Sequence, residues 1–164
     1  MKRFFQFSVF ILCFLVFVFE GKPQISTVTH QNEETAFPKG EKINNNNFTG
    51  TAYLYMMVTS DSVYQTTMGN VTFEPKARTN WHKHPGGQIL LVTDGKGYYQ
   101  EKGKPARFIQ KGDVVKIPPQ TEHWHGAASD SGLTHIAINP NIDKGSVVWF
   151  GSVTDEEYNS IGVN

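Results

Sequence analysis

Short runs of β-branched and aromatic residues, separated by glycine, proline, asparagine and aspartate, fill the chain from Thr51 onward. Runs of this kind are typical of β-strands. The candidate strands are residues 51–58, 70–74, 88–93, 97–101, 114–117, 123–128, 133–139 and 147–150. Asp94-Gly95 predicts a turn between two of them. Strands at this spacing predict an all-β fold, either a sandwich or a barrel of antiparallel strands.

One short helix is predicted at the end of the chain. Thr154 can cap its N-terminus, and Glu157, three residues on, completes a capping box. Asp155 and Glu156 place negative charge at the positive end of the helix dipole. These residues therefore predict that a C-terminal helix begins after Thr154.

The N-terminus carries the pattern of a secretory signal peptide. Lys2 and Arg3 precede an apolar run over residues 4–19 that only Gln6 and Ser8 interrupt. The run is shorter than the roughly 20 residues of a transmembrane helix. We therefore expect residues 1–20 to be a signal peptide that exports the protein to the periplasm or the medium. An uncleaved membrane anchor is the alternative.

The rest of the chain divides into a leader and one domain. Residues 21–47 contain Pro23, Pro38, Gly40 and an asparagine run at positions 44–47, which predicts a flexible leader. Residues 48–164 are long enough to form one domain with its own core. The only cysteine, Cys13, lies in the predicted signal peptide, so the domain contains no disulfide.

Charge argues against a nucleic-acid partner. Losing Lys2, Arg3 and Glu20 with the signal peptide leaves 13 of the 15 basic residues and 14 of the 15 acidic ones. A nearly neutral chain without a basic patch cannot neutralise many phosphates. We therefore expect no binding to nucleic acid.

Four of the six histidines form two alternating pairs, His82 with His84 and His123 with His125. Alternate residues of a strand point to the same face, and imidazole is the commonest metal ligand in proteins. After His84, a Pro-Gly-Gly connection can return Gln88 to the same place. A lone histidine would suggest an ordinary core or surface role, whereas two such pairs favour a metal site.

The spacing of these residues resembles the two sequence motifs of the cupin family. His82, His84, Gln88 and Gly95 follow the first motif, and Gly112, Pro118 and His123 follow the second. The resemblance implies a small jelly-roll β-barrel with a metal in its mouth. It carries His82, His84, Gln88 and His123 over as the metal ligands.

Gln88 stands where the cupin motif usually has an acidic ligand. Three neutral imidazoles and a neutral amide leave the charge of a divalent cation uncompensated. Such a cation is a stronger Lewis acid towards an anionic ligand than one that also binds a carboxylate. Mixed nitrogen and oxygen ligands suit manganese, iron, cobalt, nickel or zinc.

Six segments, in which x marks a position outside the match, extend the resemblance to the bacterial cupin hydroxynitrile lyases: FTG at 48–50, VTFEPxART at 71–79, WHxHP at 81–85, GDVV at 112–115, HWHGAA at 123–128 and VTDExY at 153–158. These enzymes use manganese to split (R)-mandelonitrile into benzaldehyde and hydrogen cyanide, and they catalyse the reverse addition. The resemblance implies a manganese-dependent lyase with a small-molecule substrate. It makes His125 the acid/base residue beside the metal; a fifth ligand or a partner of a ligand is the alternative role.

By position in the same resemblance, Gly69, Val71, His135 and Asn139 line the substrate pocket. Gly69 and Asn139 replace an alanine and a glutamine, so a roomier pocket is expected. A structural hydrogen bond is the alternative role for His135. Arg78 could bind a carboxylate substrate, but an arginine in this setting more often anchors a loop through an ion pair.

The sequence leaves the oligomeric state and the function open between alternatives. Small cupins with aromatic-rich outer faces are often dimers or tetramers, and the resemblance implies such a homo-oligomer. Two other functions remain compatible with the residues: a different metal-dependent cupin enzyme, such as a dioxygenase or an isomerase, and a non-catalytic periplasmic cupin that binds a metal or small ligand.

Overall fold

A computed structural model describes residues 36–161 of the chain. The predicted signal peptide, residues 1–20, and most of the predicted leader lie outside the described residues. No helix within residues 36–161 is long and apolar enough to cross a membrane.

Antiparallel strands make up nearly half of residues 36–161. In chain order the elements are β1 (Glu41–Lys42), β2 (Phe48–Thr49), β3 (Ala52–Val58), β4 (Thr66–Phe73), β5 (Arg78–Thr79), β6 (His82–Lys83), β7 (Gln88–Glu101), β8 (Arg107–Gln110), β9 (Val114–Ile117), β10 (His123–Ala127), β11 (Leu133–Pro140), a 3₁₀ turn (Ile142–Lys144), β12 (Val148–Trp149) and α1 (Asp155–Asn159). The main sheet runs in the order β1-β3-β4-β11-β7-β10-β5-β2, and it curls into a half-barrel. The predicted all-β jelly-roll fold with a short C-terminal helix is confirmed.

The longest strand, β7, belongs to both halves of the curled sheet. Its first half pairs with β11 and β9, and its second half with β10 and β8. Gly95 lies between the halves with a φ of 71°, and a Cβ there would fall on the carbonyl oxygen of Gly132. The predicted turn at Asp94-Gly95 is therefore wrong, because the strand finds partners on both sides and bends instead of reversing.

The core lies inside the curl and consists of buried apolar residues from both halves: Ala52, Val71, Phe73, Ala77, Leu90, Val92, Tyr99, Ile109, Val115, Ile117, Ala127, Leu133 and Ala137. A second, smaller cluster joins Trp81, Trp124, Val153 and Tyr158. It contains the C-terminal segment and the strands that carry the histidine pairs. Side chains on the two faces of β10 thus pack into two different clusters, because successive residues of a strand point to opposite faces.

The described part of the predicted leader is bound to the domain. β1 pairs with β3, with Glu41 opposite Leu54. The Asn70 side chain donates to the carbonyl oxygen of Pro38 at 3.0 Å, and the backbone N–H of Asn80 donates to Asn47 at 2.8 Å. Ordered structure therefore begins before residue 48, because backbone groups of the leader find partners on the barrel. Sequence composition does not reveal such long-range pairing.

The capping box at the C-terminus forms as predicted. The Thr154 hydroxyl accepts from the backbone N–H of Glu157 at 3.1 Å, and the Glu157 carboxylate accepts from the N–H of Thr154 at 2.8 Å. The buried guanidinium of Arg78 donates to the carbonyl oxygen of Val153 at 2.9 Å and to Asp155 at 2.6 Å. These contacts show Arg78 anchoring the C-terminal segment to β5.

Candidate metal centre and active site

Two histidines face each other across neighbouring strands. His82 on β6 is directly opposite His123 on β10, and their ring centroids are 4.2 Å apart. The Nδ1 of His82 lies 3.0 Å from the carbonyl oxygen of Asn80, and that of His123 lies 2.9 Å from the carbonyl oxygen of Thr121. A carbonyl oxygen only accepts, so both Nδ1 atoms carry the ring proton. The lone pairs at Nε2 are therefore available to a cation.

A tight turn brings the other two predicted ligands to this pair. The N–H of Gly87, whose φ is 85°, donates to the carbonyl oxygen of His84 at 3.1 Å. The ring of His84 lies 5.2 Å from that of His82 and 5.9 Å from that of His123. Gln88 begins β7, and its Oε1 lies 3.1 Å from the Nε2 of His123. The four residues predicted as ligands thus converge in space.

The chemistry of these donor atoms fits a cation. The Nε2 of His84 is buried and has no hydrogen-bond partner within the described part of the chain. The Nε2 of His123 and the Oε1 of Gln88 are both acceptors, yet they lie 3.1 Å apart. Two buried acceptors at that distance repel each other unless a positive group binds both. The donor set therefore suits a divalent transition metal, and it does not select one metal over another.

His125 lies beside the same site. Nitrogens of His82, His123 and His125 all lie within 4.8 Å of one another, as expected when His123 and His125 share one face of β10. This position is compatible with a metal ligand and with an acid/base residue. The predicted catalytic role of His125 therefore stays a prediction.

His135 is joined to His125 in the interior. On β11, His135 is completely buried, and its Nε2 lies 3.2 Å from the Nδ1 of His125. The Nδ1 of His135 has no hydrogen-bond partner within residues 36–161. His135 thus reaches the site through His125, which agrees with the hydrogen-bonding alternative and differs from direct contact with a substrate.

Burial keeps all five of these histidines neutral. It lowers the pKa of His84 to about 4, of His123 to about 4 and of His135 to about 3. The pKa values of His82 and His125 also fall well below the usual range, first because of burial and then because other imidazoles lie nearby. At neutral pH each ring therefore offers a lone pair to a metal or to a proton.

A cavity of about 180 Å³ opens beside the cluster. Its lining includes three of the residues predicted for the pocket, Gly69, Val71 and Asn139, together with His82, His84, Gln88 and His125. Apolar groups form much of the remaining wall: Phe48, Leu54, Met56, Ala137, Val147 and Trp149. The fourth predicted pocket residue, His135, is not part of this lining.

Trp149 lies at the site, whereas the sequence favours packing in the core or between subunits as its role and pocket lining as the alternative. β12 pairs with β6 so that Trp149 lies opposite His82, and the two ring centroids are 4.8 Å apart. Phe48 contacts the same indole with centroids 5.7 Å apart. The strand predicted at 147–150 was the available signal, because Val147 and Trp149 alternate along it and both line the cavity.

A second cavity, of about 220 Å³, lies on the other side of His84. It shares His84, Thr67, Asn139 and Val147 with the first cavity. Glycines and polar groups form part of its wall, among them Gly86, Gly145 and Ser146. His84 and Asn139 therefore lie between two adjoining spaces, one mostly apolar and one more polar.

Known proteins resemble this chain over the region that holds the site. The cupin domain model matches residues 69–139. An (R)-mandelonitrile lyase from Granulicella tundricola is 44% identical over 111 residues, which cover 68% of this chain and 85% of that protein. The crystal structure of a cupin-like protein from Thermotoga maritima is 52% identical and superposes with a TM-score of 0.76, covering 79% of this chain and 98% of that one.

More distant structures share the fold alone. A cupin 2 conserved barrel domain protein from Rhodopseudomonas palustris is 15% identical, with a TM-score of 0.57 over 71% of this chain and 78% of that one. Its likeness supports the architecture and carries no information on chemistry. The family model, the 44% identical relative and the 52% identical structure lead to one assignment. The chain belongs to the cupin family.

Proposed function

We propose that this protein is a metal-dependent lyase that splits cyanohydrins into an aldehyde and hydrogen cyanide, and that also catalyses the reverse addition. One observation carries the proposal. His125 is buried beside the donor atoms of His82 and His123, and it lines the adjoining cavity. The 44% identity to an (R)-mandelonitrile lyase supports the same chemistry.

His82, His84, Gln88 and His123 would hold the cation, with manganese favoured among the divalent metals. When bound, a divalent cation supplies Lewis-acid stabilisation of the negative charge that develops during the reaction. Gln88 adds no charge of its own to the site, so the full charge of the cation acts on the substrate.

His125 acts as the base and then as the acid. The Nδ1 of His125 lies 3.2 Å from the Nε2 of His135; when His125 is the donor of this bond, its own Nε2 carries a lone pair. That lone pair takes the proton of the cyanohydrin hydroxyl, the carbon–oxygen bond becomes a carbonyl, and the carbon–carbon bond breaks with its electron pair leaving on cyanide. The imidazolium then returns the proton to cyanide, so hydrogen cyanide leaves and His125 is neutral again.

The apolar wall of the cavity suits an aromatic or aliphatic substituent on the reacting carbon. Phe48, Met56 and Trp149 line that wall of the same cavity that His82, His84 and His125 line. A ring bound there directs the hydroxyl and nitrile groups towards the histidines. Positioning of this kind is a major source of rate acceleration.

Cyanide release from racemic mandelonitrile tests the proposal. We expect manganese-loaded protein to release cyanide and His125→Ala to retain its metal but lose activity by about 10²- to 10⁴-fold. His30→Ala, which removes a histidine outside the described residues, is the matched control and should keep full activity. Equal rates for the wild type and His125→Ala would refute the role of His125, and no release by the wild type would refute this substrate class.

The same proposal includes the setting of the enzyme. We infer an exported protein that works as a homo-oligomer on a small diffusible substrate. N-terminal sequencing of the protein recovered from the periplasm or medium tests export, because removal of the signal peptide leaves a new N-terminus close to residue 21. Light scattering of the same sample distinguishes a monomer from a dimer or tetramer.

A further inference from the structure

A chain of hydrogen bonds runs from the strand behind the site to the amide of Gln88. The Nδ2 of Asn139 donates to the hydroxyl of Thr67 at 3.1 Å. The Oδ1 of Asn139 accepts from the Nε2 of Gln88 at 3.0 Å. The Oε1 of Gln88 is thereby left on the side of His123, 3.1 Å from its Nε2.

The orientation of this amide matters because a glutamine side chain has two unlike ends. Its oxygen binds a cation, whereas its NH₂ group only donates hydrogen bonds. Since the Nδ1 of His123 carries the proton, the Nε2 of His123 is an acceptor. In isolation, Gln88 would therefore turn its NH₂ group towards His123 and form a hydrogen bond. That orientation removes the oxygen ligand from the site.

Asn139 opposes that rotation. Its Oδ1 accepts the NH₂ group of Gln88, and this bond is lost when the amide turns over. Gln88 is 4% exposed, so turning its amide over would bury its Oε1 against the Oδ1 of Asn139, and two buried acceptors that face each other carry a penalty. To keep this bond after Gln88 turns over, Asn139 must turn over as well and the Thr67 hydroxyl must change from acceptor to donor. The orientation of Gln88 is therefore coupled to that of Asn139.

We propose that Asn139 is a positioning residue that holds Gln88 in the orientation of an oxygen ligand for the metal. This role rests on the metal site of the proposed function, but it does not depend on the reaction catalysed there. It also gives Asn139 a purpose other than contact with the substrate, because both ends of its amide already have partners. Residues in such a position commonly change metal affinity by 10- to 100-fold when replaced.

Three variants separate orientation from packing. Asn139→Leu has a similar size but can accept no hydrogen bond, so affinity for Mn(II) should fall by about 10- to 100-fold. Asn139→Asp is the matched control, because a carboxylate accepts from Gln88 and also from the Thr67 hydroxyl. It should keep the affinity of the wild type or exceed it, since its negative charge lies near the cation.

The decisive variant is Gln88→Glu, because a carboxylate has an oxygen at both ends. In the Gln88→Glu background, Asn139→Leu should change the Mn(II) affinity by less than about threefold, although the same replacement costs 10- to 100-fold beside Gln88. Affinities are measured by competition with a chelating dye on the purified full chain. The absorption spectrum of Co(II)-loaded protein reports the ligand set independently of activity.

Each outcome is informative. An equal loss from Asn139→Leu in both backgrounds would assign Asn139 a merely structural role and overturn the proposal, as would no loss in either. Wild-type protein that binds no Mn(II) or Co(II), or that binds both as well after Gln88→Ala, would overturn it too. Metal affinities that follow the predicted pattern without any cyanide release would refute the lyase proposal and leave this one supported.

Discussion

Four of the five histidines at the barrel mouth fall into two groups that are held in different ways. The Nδ1–H groups of His82 and His123 each donate a hydrogen bond to a backbone carbonyl oxygen. The backbone therefore fixes the direction of the lone pair at each Nε2. A single hydrogen bond of 3.2 Å joins the Nδ1 of His125 to the Nε2 of His135, and the partner of each of these two atoms is the other imidazole instead of a backbone carbonyl oxygen. All four side chains are buried to a similar degree.

The difference lies in which proton arrangements each group allows. A carbonyl partner fixes one tautomer, and a fixed lone pair is what a metal ligand needs. A pair of imidazoles allows either ring to donate, so the proton can change position within the pair. This second arrangement suits proton transfer. Burial alone would not separate the two groups; their hydrogen-bond partners do.

The largest effect is expected from removing a residue of the first group. His123→Ala takes away one of the four proposed metal ligands, so metal affinity should fall by at least about 100-fold, beyond the effect of replacing an outer partner. Elemental analysis after dialysis measures the metal retained. The loss should also abolish cyanide release. A His123→Ala protein with one metal per chain would show that the ligand set is wrong.

Removing His125, the member of the second group that lines the cavity, should have a different consequence. His125→Ala should retain one metal per chain, while kcat for mandelonitrile cleavage falls by about 10²- to 10⁴-fold because the acid/base residue is gone. Elemental analysis and single-turnover kinetics on the same sample measure both properties. If the metal were lost along with activity, His125 would join the first group as a ligand.

Acid should destabilise both groups when the metal is removed by a chelator. Because the folded pKa of His123 in the first group lies near 4 and that of His135 in the second lies near 3, the unfolded chain takes up more protons as the pH falls below about 6.5. The free energy of unfolding should therefore fall by up to about 1.4 kcal/mol per pH unit for each histidine, until the folded pKa is reached.

Urea unfolding between pH 7 and pH 5 measures this loss. Adding Mn(II) should protect the first group, because a bound cation competes with protons for the same lone pairs. The second group should keep its acid sensitivity in the presence of metal. A free energy of unfolding that is flat from pH 7 to pH 5 in chelator-treated protein would contradict the neutral, buried state of these rings.

The smallest effect is expected at His135, which acts only through His125. His135→Asn should retain the metal and lower kcat by less than His125→Ala does, because the base remains but loses the partner that orients it. The pH profile of kcat should shift as well, since the basicity of His125 depends on that hydrogen bond. A loss of metal, or an unchanged rate and pH profile, would argue that His135 only fills space.

Local patterns predicted much of the fold and several features of the site. Strand runs, the capping box at Thr154 and the ligand spacing of His82, His84 and Gln88 depend on residues that are close in the chain. Asp94-Gly95 predicts a turn, but β7 only bends there. The same dipeptide suits a turn and a bend, and only the strands that pair with β7 on each side determine which one forms. Docking of residues 38–47 was missed for the same reason.

Sequence alone was sufficient to predict the fold class and which histidines share a strand face, since spacing along a strand determines which side chains point the same way. The contacts that determine the role of each residue are visible only in the tertiary structure. Trp149 against His82, His135 against His125 and Asn139 against Gln88 each join residues far apart in sequence. Tautomers and amide orientations follow from such partners, because a hydrogen bond depends on position in space and not on order in the chain.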